Sequence, residues 1–223
     1  MSEQEWLKEL LKVNDEEVKL SDKQAKIIEA AIEIFSEKGF AATSTSEIAK
    51  KAGVAEGTIF RHYQTKKGLL MSIVTPVWTK SVAPFLAKNF VKEVFDNKYS
   101  SYEDFIRTLI KNRFAFVKKH LPIIKIFLQE VSFHPELQLQ FKKIFTEHVS
   151  KKFEQIVQHF QEKGEIIDLP PNSVMRMMIT TIVGFLFTRF LVLPQHEWQD
   201  EAEIERTVQF IMNGLSEKRN PQC

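Results

Sequence analysis

Apolar residues along this chain recur at helical spacing, and no run alternates cleanly with the period of a strand. The first clear stripe is Ile27, Ala30, Ala31, Ile34 and Phe35, one face of an amphipathic helix. It opens at "SDKQ", where Ser21 stands three residues before Gln24 in a capping-box pattern, and Gly39 closes it with Lys38 in the last turn. "STSE", residues 44 to 47, is a second capping box, followed by the small apolar face of Ile48, Ala49 and Ala52 and a stop at Gly53. A third short helix is predicted over 56 to 63. A longer helix followed by two short ones joined at a turn is a helix-turn-helix layout. Beyond it the predicted helices lengthen, to 66–88, 102–120, 121–132, 135–163, 172–193 and 200–217. Pro135 sits in a first-turn position and Gly164 acts as terminator. Residues 1 to 20 carry Trp6, Leu7, Leu10 and Leu11 at helical spacing, the mark of a short amphipathic helix or a frayed extension.

Composition supports an all-α chain. Of 223 residues only 7 are Gly and 8 are Pro, both of which weaken helix interiors. At 43% hydrophobic and 27% charged, the chain reads as globular. Sixteen of the nineteen Phe lie beyond residue 80, which argues for a small head and a larger apolar body. The expected division is an extension at 1–20, a helix-turn-helix domain at 21–67 and a helical body at 68–223. The single cysteine, Cys223, leaves no internal disulfide framework and fits a reducing cytoplasm. Charges scattered through the first twenty residues do not look like a signal peptide. The most lipid-like run, 177 to 188, is bracketed by Arg176 and Arg189 and is too short to span a bilayer. The expectation is therefore a cytoplasmic protein without a membrane partner.

Net charge, +2, says little about partners, but local charge says more. Residues 43 to 67 hold five basic side chains, Lys50, Lys51, Arg61, Lys66 and Lys67, against Glu47 and Glu56. In the stretch "GTIFRHYQTKKGLL", Ile59 and Tyr63 are four apart while Thr58, Arg61 and His62 point elsewhere. A short helix with polar side chains off its apolar edge can read a nucleic-acid groove. Ser44 and Thr45 stand at a helix N-terminus, where free amides and the dipole favour a phosphate. Tyr63 and Lys67 can donate to phosphates as well. On charge alone the same residues read equally as the solvated face of a helical bundle.

The order of the elements adds a resemblance. "AAIEIFSEKGFAATSTSEIAKKAGVAEGTIFRHYQTKKGLL", residues 30 to 70, resembles the DNA-binding domain of the TetR family of transcriptional regulators. That pattern is a helix ending in F-x-x-x-G-[FY], then T-[ST]-x-x-x-I-A-x-x-A-G-V, then G-T-[ILF]-[YF]-x-[HY]-[FY]-x-x-K-x-x-L. The resemblance implies a recognition helix at 56–63 and double-stranded, palindromic DNA as partner. It implies phosphate contacts from Thr58, Tyr63 and Lys67, and base or nearby backbone contacts from Glu56, Gly57, Arg61 and His62. Thr43, Ser44 and Thr45 fall at the phosphate-binding start of the preceding helix. There is one departure: Ala55 stands where a capping Ser or Thr is common, and Ala is the poorer cap by about 1 kcal/mol.

The body must join two heads and sense something. The helix at 172–193 is apolar nearly all round, so it is expected to be buried on every side, one against its own chain and one against a second copy. The resemblance implies a four-helix homodimer interface built with the helix at 200–217, from Val174, Met178, Ile182, Phe185, Leu186, Val208, Ile211, Met212 and Leu215. A purely intramolecular core is the other reading. Arg113 lies in an apolar stripe of the helix at 102–120, and Arg189 interrupts the apolar helix. A buried arginine needs a partner. Glu130 is the candidate if the role is structural. If the role is functional, the arginines anchor an anionic, hydrophobic small-molecule effector in a cavity lined by Phe114, Phe116, Phe127, Phe133, Met178 and Phe187. A fatty acyl compound or a drug-like molecule fits that description, and Pro76 and Pro84 mark the 66–88 helix as the transmitter to the heads.

Other chemistry finds little footing. His134 four residues after Glu130, and His148 and His159 eleven apart, match no recognised metal spacing. There is no glycine-rich phosphate loop and no nucleophile elbow. The expectation is a ligand-responsive repressor, not an enzyme, with no cofactor or metal. Its alternatives are a helical lipid carrier or enzyme whose head is a packing module, and a protein–protein adaptor.

Overall fold

The computed structural model describes residues 21–76, 94–95 and 97–215. The predicted helix within 1–20, the part of the 66–88 helix that holds Pro84, and the side chain of Leu215 lie outside the described residues. Every described element is helical, in the order α1 (Asp22–Ala42), α2 (Thr45–Ala52), α3 (Glu56–Tyr63), α4 (Lys66–Pro76), α5 (Tyr102–Lys119), α6 (Leu121–Glu130), α7 (Pro135–Ile144), α8 (Lys151–Glu162), α9 (Pro171–Phe187) and α10 (Asp200–Leu215). A π-helical turn, Phe145–Ser150, interrupts the continuous helix expected over 135–163, and a second, Thr188–Val192, extends α9. The chain divides into two compact units. The first holds α1 to α4 with α6 and α7; the second holds α5, α8, α9 and α10.

In the first unit α1 is the platform, packing on α2, α4 and α6. Its predicted stripe is buried, with Ile27, Ala31 and Phe35 fully enclosed. Both halves of the Ser21 capping box form: Gln24 N–H donates to Ser21 Oγ (3.3 Å) and Ser21 N–H to Gln24 Oε1 (3.0 Å). Gly39 leaves helical geometry at φ 81°, ψ 161°, and one further turn runs to Ala42. Helix α2 is capped by Ser44, whose Oγ accepts from Glu47 N–H at 3.1 Å. The return half is missing because the Glu47 carboxylate pairs with Lys38. Gly53 ends α2 in the left-handed region at φ 66°, a conformation a Cβ would strain.

The corner from α3 into α4 is tight. Gln64 is left-handed at φ 61°, Thr65 N–H donates to Tyr63 O at 2.7 Å, and Thr65 Oγ1 caps α4 by accepting from Gly68 N–H at 2.8 Å. Lys66 reaches back to the end of α1, donating to Phe40 O at 2.7 Å and Thr43 O at 2.6 Å, with its ammonium 4.4 Å from the Phe40 ring centroid.

In the second unit α9 packs on α8, α10 and α5. It does not bury every side: Val174, Met178, Ile182, Leu186 and Phe190 face the interior at helical spacing, whereas Val183 and Phe187 are 52% and 45% exposed. Val208 and Ile211 of α10 are enclosed in the same way. These six expected interface positions, Val174, Met178, Ile182, Leu186, Val208 and Ile211, thus belong to the chain's own core, because α9 packs on α5, α8 and α10, and α10 on α5 and α9. Pro171–Val192 is long and apolar enough, by length and composition, to cross a membrane, more than the twelve-residue run indicates. Its inward positions are core positions of the unit.

One close approach yields a prediction for stability. A Cβ on Gly68 would lie 2.1 Å from the carbonyl oxygen of Tyr63. Gly68→Ala is expected to cost about 1–3 kcal/mol, as overpacking does, read by thermal denaturation. An unchanged melting temperature would show that the corner opens freely.

Candidate nucleic-acid interface

Helix α3 is eight residues long and is fixed from below by Ile59, which is fully buried. Its inner edge leaves an outer face of Glu56, Gly57, Phe60 and Arg61, all exposed, with Thr58 and His62 half-buried at the margins. The cap is as weak as the sequence indicates: Ala55 offers no side-chain hydrogen bond. Arg61 makes no hydrogen bond or ion pair with any described residue, so its guanidinium fork is available to a partner.

Gly57 differs from Gly68. Its backbone is ordinary, and a Cβ there would meet nothing within 4 Å. Glycine in a helix costs about 1 kcal/mol relative to alanine, and no contact inside the protein requires it. Phe60 is also exceptional, 46% exposed on an otherwise polar face. Phe60 carries no role in the sequence reading; its exposure singles it out, and an aromatic one position off a buried isoleucine is the available signal.

The start of α2 borders this face. Ser44 is exposed and caps the helix, leaving first-turn amides unfilled by the protein. Thr45 is turned toward α3, where its hydroxyl donates to Glu56 Oε1 at 2.5 Å and ties the two short helices together. Thr43 does not face outward: it is 3% exposed and its hydroxyl donates to Gly39 O at 2.8 Å. Tyr63 also turns inward. Its hydroxyl is buried without a hydrogen-bond partner, and burial pushes its pKa up to about 12. Neither hydroxyl reaches a phosphate in this geometry, because both belong to the packing of α1, α3 and α4. Lys67 is exposed and pairs with Glu136 Oε1 at 2.9 Å, which holds that carboxyl below its usual range. Lys66, in the sequence only one of five local basic side chains, is the lysine that serves the fold.

The expected effector residues divide between the two units. Phe127 and Phe133 lie in the first unit; Arg113, Phe114, Phe116, Met178, Phe187 and Arg189 lie in the second. Phe133 is 77% exposed and lines no interior of its unit, because it falls in the turn after α6. Phe114 is packed between Phe185 (centroids 6.1 Å, stacked) and Phe190 (5.0 Å), and the Tyr102 hydroxyl contacts Met178 Sδ at 3.9 Å. Arg113 lies 5.0 Å from the Phe116 ring and bonds to Asn112. Arg189 is paired with Asp200, at 2.6 and 3.3 Å, and not with Glu130. Glu130 instead faces His134 Nε2 at 3.4 Å, both of them buried in the first unit. No group of three or more His, Cys, Asp or Glu able to hold a metal occurs among the described residues.

Comparison with known proteins follows this geometry. Residues 27–73 match the family described as bacterial regulatory proteins, tetR family. The chain is 34% identical over 110 residues to the uncharacterized HTH-type transcriptional regulator YvdT of Bacillus subtilis, covering 47% of this chain and 50% of that one. It is 43% identical over 51 residues to the fatty acid metabolism regulator protein of the same organism, covering 23% and 26%. In both leading curated relatives the match spans about half the relative's length. The fold is similar to that of the transcriptional regulator FadR from Bacillus subtilis in complex with stearoyl-CoA, with a TM-score of 0.63, 22% identity, and coverage of 85% of this chain and 97% of that one. The fatty acid degradation regulator FadR from Bacillus halodurans gives a TM-score of 0.65 at 20% identity, covering 88% and 97%. These relatives and neighbours are named as regulators, none as an enzyme.

Proposed function

We propose that this chain, whose residues 27–73 match the tetR family of bacterial regulatory proteins, is a DNA-binding transcriptional repressor of that family. It acts as a homodimer on a palindromic operator and is released by a hydrophobic, acyl-type effector. The outer face of α3 carries this reading: an unpaired Arg61, an exposed Phe60 and a glycine that nothing inside the protein requires. Arg61 has the fork that reads a guanine edge, and Phe60 offers an apolar surface for a thymine methyl. Gly57 lets a backbone pass close to the helix. The amides at the start of α2 take a phosphate.

The dimer rests on the faces left over by the core. Val183, Gly184 and Phe187 of α9 and Phe210 and Gly214 of α10 are exposed, Phe210 at 69%, and a Cβ on either glycine would meet nothing within 4 Å. Apolar and small side chains on two neighbouring helices fit a second copy of the same helices. The acyl reading is supported by the Phe-rich second unit and by what the fold neighbours are named for. Within it Arg113 is the candidate anchor for the acidic end. An effector acts only through differential affinity: it must prefer a shape in which the two heads no longer match half-sites about 34 Å apart.

Four outcomes are expected. Gly57→Ala should leave thermal stability unchanged or raised by up to about 1 kcal/mol while weakening operator binding. Arg61→Ala should cost about 1–3 kcal/mol of discrimination between operator and mutated operator. Electrophoretic retention over a salt series reads both, since specific contacts release counterions; equal retention of every sequence at every salt would point to the lipid-carrier alternative. Phe187→Asp with Phe210→Asp should give monomers in analytical ultracentrifugation, and an intact dimer would move the interface elsewhere. Fatty acyl compounds should lower operator affinity, with each added methylene contributing roughly 0.8 kcal/mol until the site is full. A chain series without length dependence would favour a drug-like effector.

A further inference from the structure

The outer face of α3 carries one charge of the wrong sign for DNA. Glu56, the first residue of the helix, is exposed beside Gly57 and on the same side as Phe60, one turn further on. A first-turn acid suits the helix dipole. Against a duplex, however, a carboxylate is repelled by phosphates and loses water, so it lowers affinity for every sequence unless a donor meets it.

That carboxylate is held in place. Thr45, the first residue of α2 after the Ser44 cap, donates from its hydroxyl to Glu56 Oε1 at 2.5 Å, and α2 packs on α3. Glu56 Oε2 has no partner among the described residues. Glu56 makes no ion pair with Arg61 of the same helix. One oxygen is therefore fixed from the side, which sets the direction of the other. An ionised carboxylate only accepts. In the major groove the base donors are the amino groups of cytosine and adenine. Adenine sets its N7 acceptor beside its amino group, where a carboxylate meets it unfavourably; cytosine presents the amino group alone. An amide side chain is the reverse case, since its NH2 and C=O match adenine N7 and N6 together.

We propose that Glu56 selects a cytosine in each operator half-site, with Oε2 accepting from the cytosine amino group, and that Thr45 is the positioning residue that aims it. The inference rests on the DNA-binding reading of α3 and adds the base that this residue demands. Arg61 only donates and takes a guanine, so the two residues read different base pairs. The carboxylate lowers overall affinity and raises discrimination, because sites without the amino group leave it unpaired.

The test is selection by the full-length protein from randomised duplexes, followed by retention measurements on the selected operator with single base pairs changed. The wild type is expected to prefer cytosine by about tenfold at one pair of each half-site, a pair other than the one that responds to Arg61→Ala. Glu56→Gln keeps an oxygen for the Thr45 hydroxyl, so its melting temperature should hold while the preference at that pair moves toward adenine by about tenfold. Thr45→Val should weaken the cytosine preference by about threefold or more, and Thr45→Ser should retain it. Absence of any enriched sequence overturns the DNA-binding reading and this inference together. This inference alone is overturned by an enriched operator whose every pair is unchanged in Glu56→Gln, by a uniform loss across all sequences in that variant, or by a Thr45→Val protein with the full cytosine preference.

Discussion

Eight-residue helices are not stable by themselves in water, because nucleation costs more than two turns of hydrogen bonds return. The α2–α3 pair is built from two of them, and the first unit is organised around that constraint. Their ends are held from outside: Ser44 and Gly53 close α2, the Thr45–Glu56 hydrogen bond joins α2 to α3, and the Gly68 corner fixes where α3 stops. Ile48 and Ile59 seat them. Lys66 adds the long-range tie, donating to the Phe40 and Thr43 carbonyls at the end of α1. The orientation of α3 therefore depends on α1 and α4 more than on its own sequence. Helices α6 and α7 sit in the same unit, so the body of packing behind the reading helix is larger than three helices.

What could be read from the sequence was what is local. Caps at Ser21 and Ser44, the stop at Gly53 and the poor cap at Ala55 all depend on residues within four positions, and each is where it was expected, whereas Gly39 breaks α1 one turn before its end. What could not be read was direction. Thr43 and Tyr63 carry hydroxyls that a phosphate would suit, but which way they point is set by Gly39 and by the packing beneath α3. The role of Lys66 spans more than twenty residues, beyond any spacing rule. Helix α9 shows the limit best. When nearly every position is apolar, periodicity has no phase, so the inward stripe of Val174, Met178, Ile182 and Leu186 was indistinguishable from the outward Val183 and Phe187. The π-helical turns at Phe145–Ser150 and Thr188–Val192 left no trace in the pattern at all.

The second unit resolves its charges differently from the first. Arg107 is gathered among Glu103, Asp104 and Glu205, and Arg189 is held by Asp200 with its guanidinium 5.0 Å from the Phe190 ring. Partly buried arginines need such partners, since an unpaired charge out of water costs several kcal/mol (roughly) per ion. This is why Arg189 reads better as a brace between α9 and α10 than as an anchor waiting for a ligand.

The same contrast explains why the outer face of α3 is built poorly by the standards of helix stability. Its cap is an alanine, its second residue is glycine, an apolar ring faces water, and its arginine makes no ion pair with a described residue. Each choice lowers the stability of an isolated helix or leaves a group unsatisfied. A fold consistent at every other level tends to break local rules where something outside the chain completes them. Here the violations share one face of one short helix, and that face is the one a DNA groove would cover.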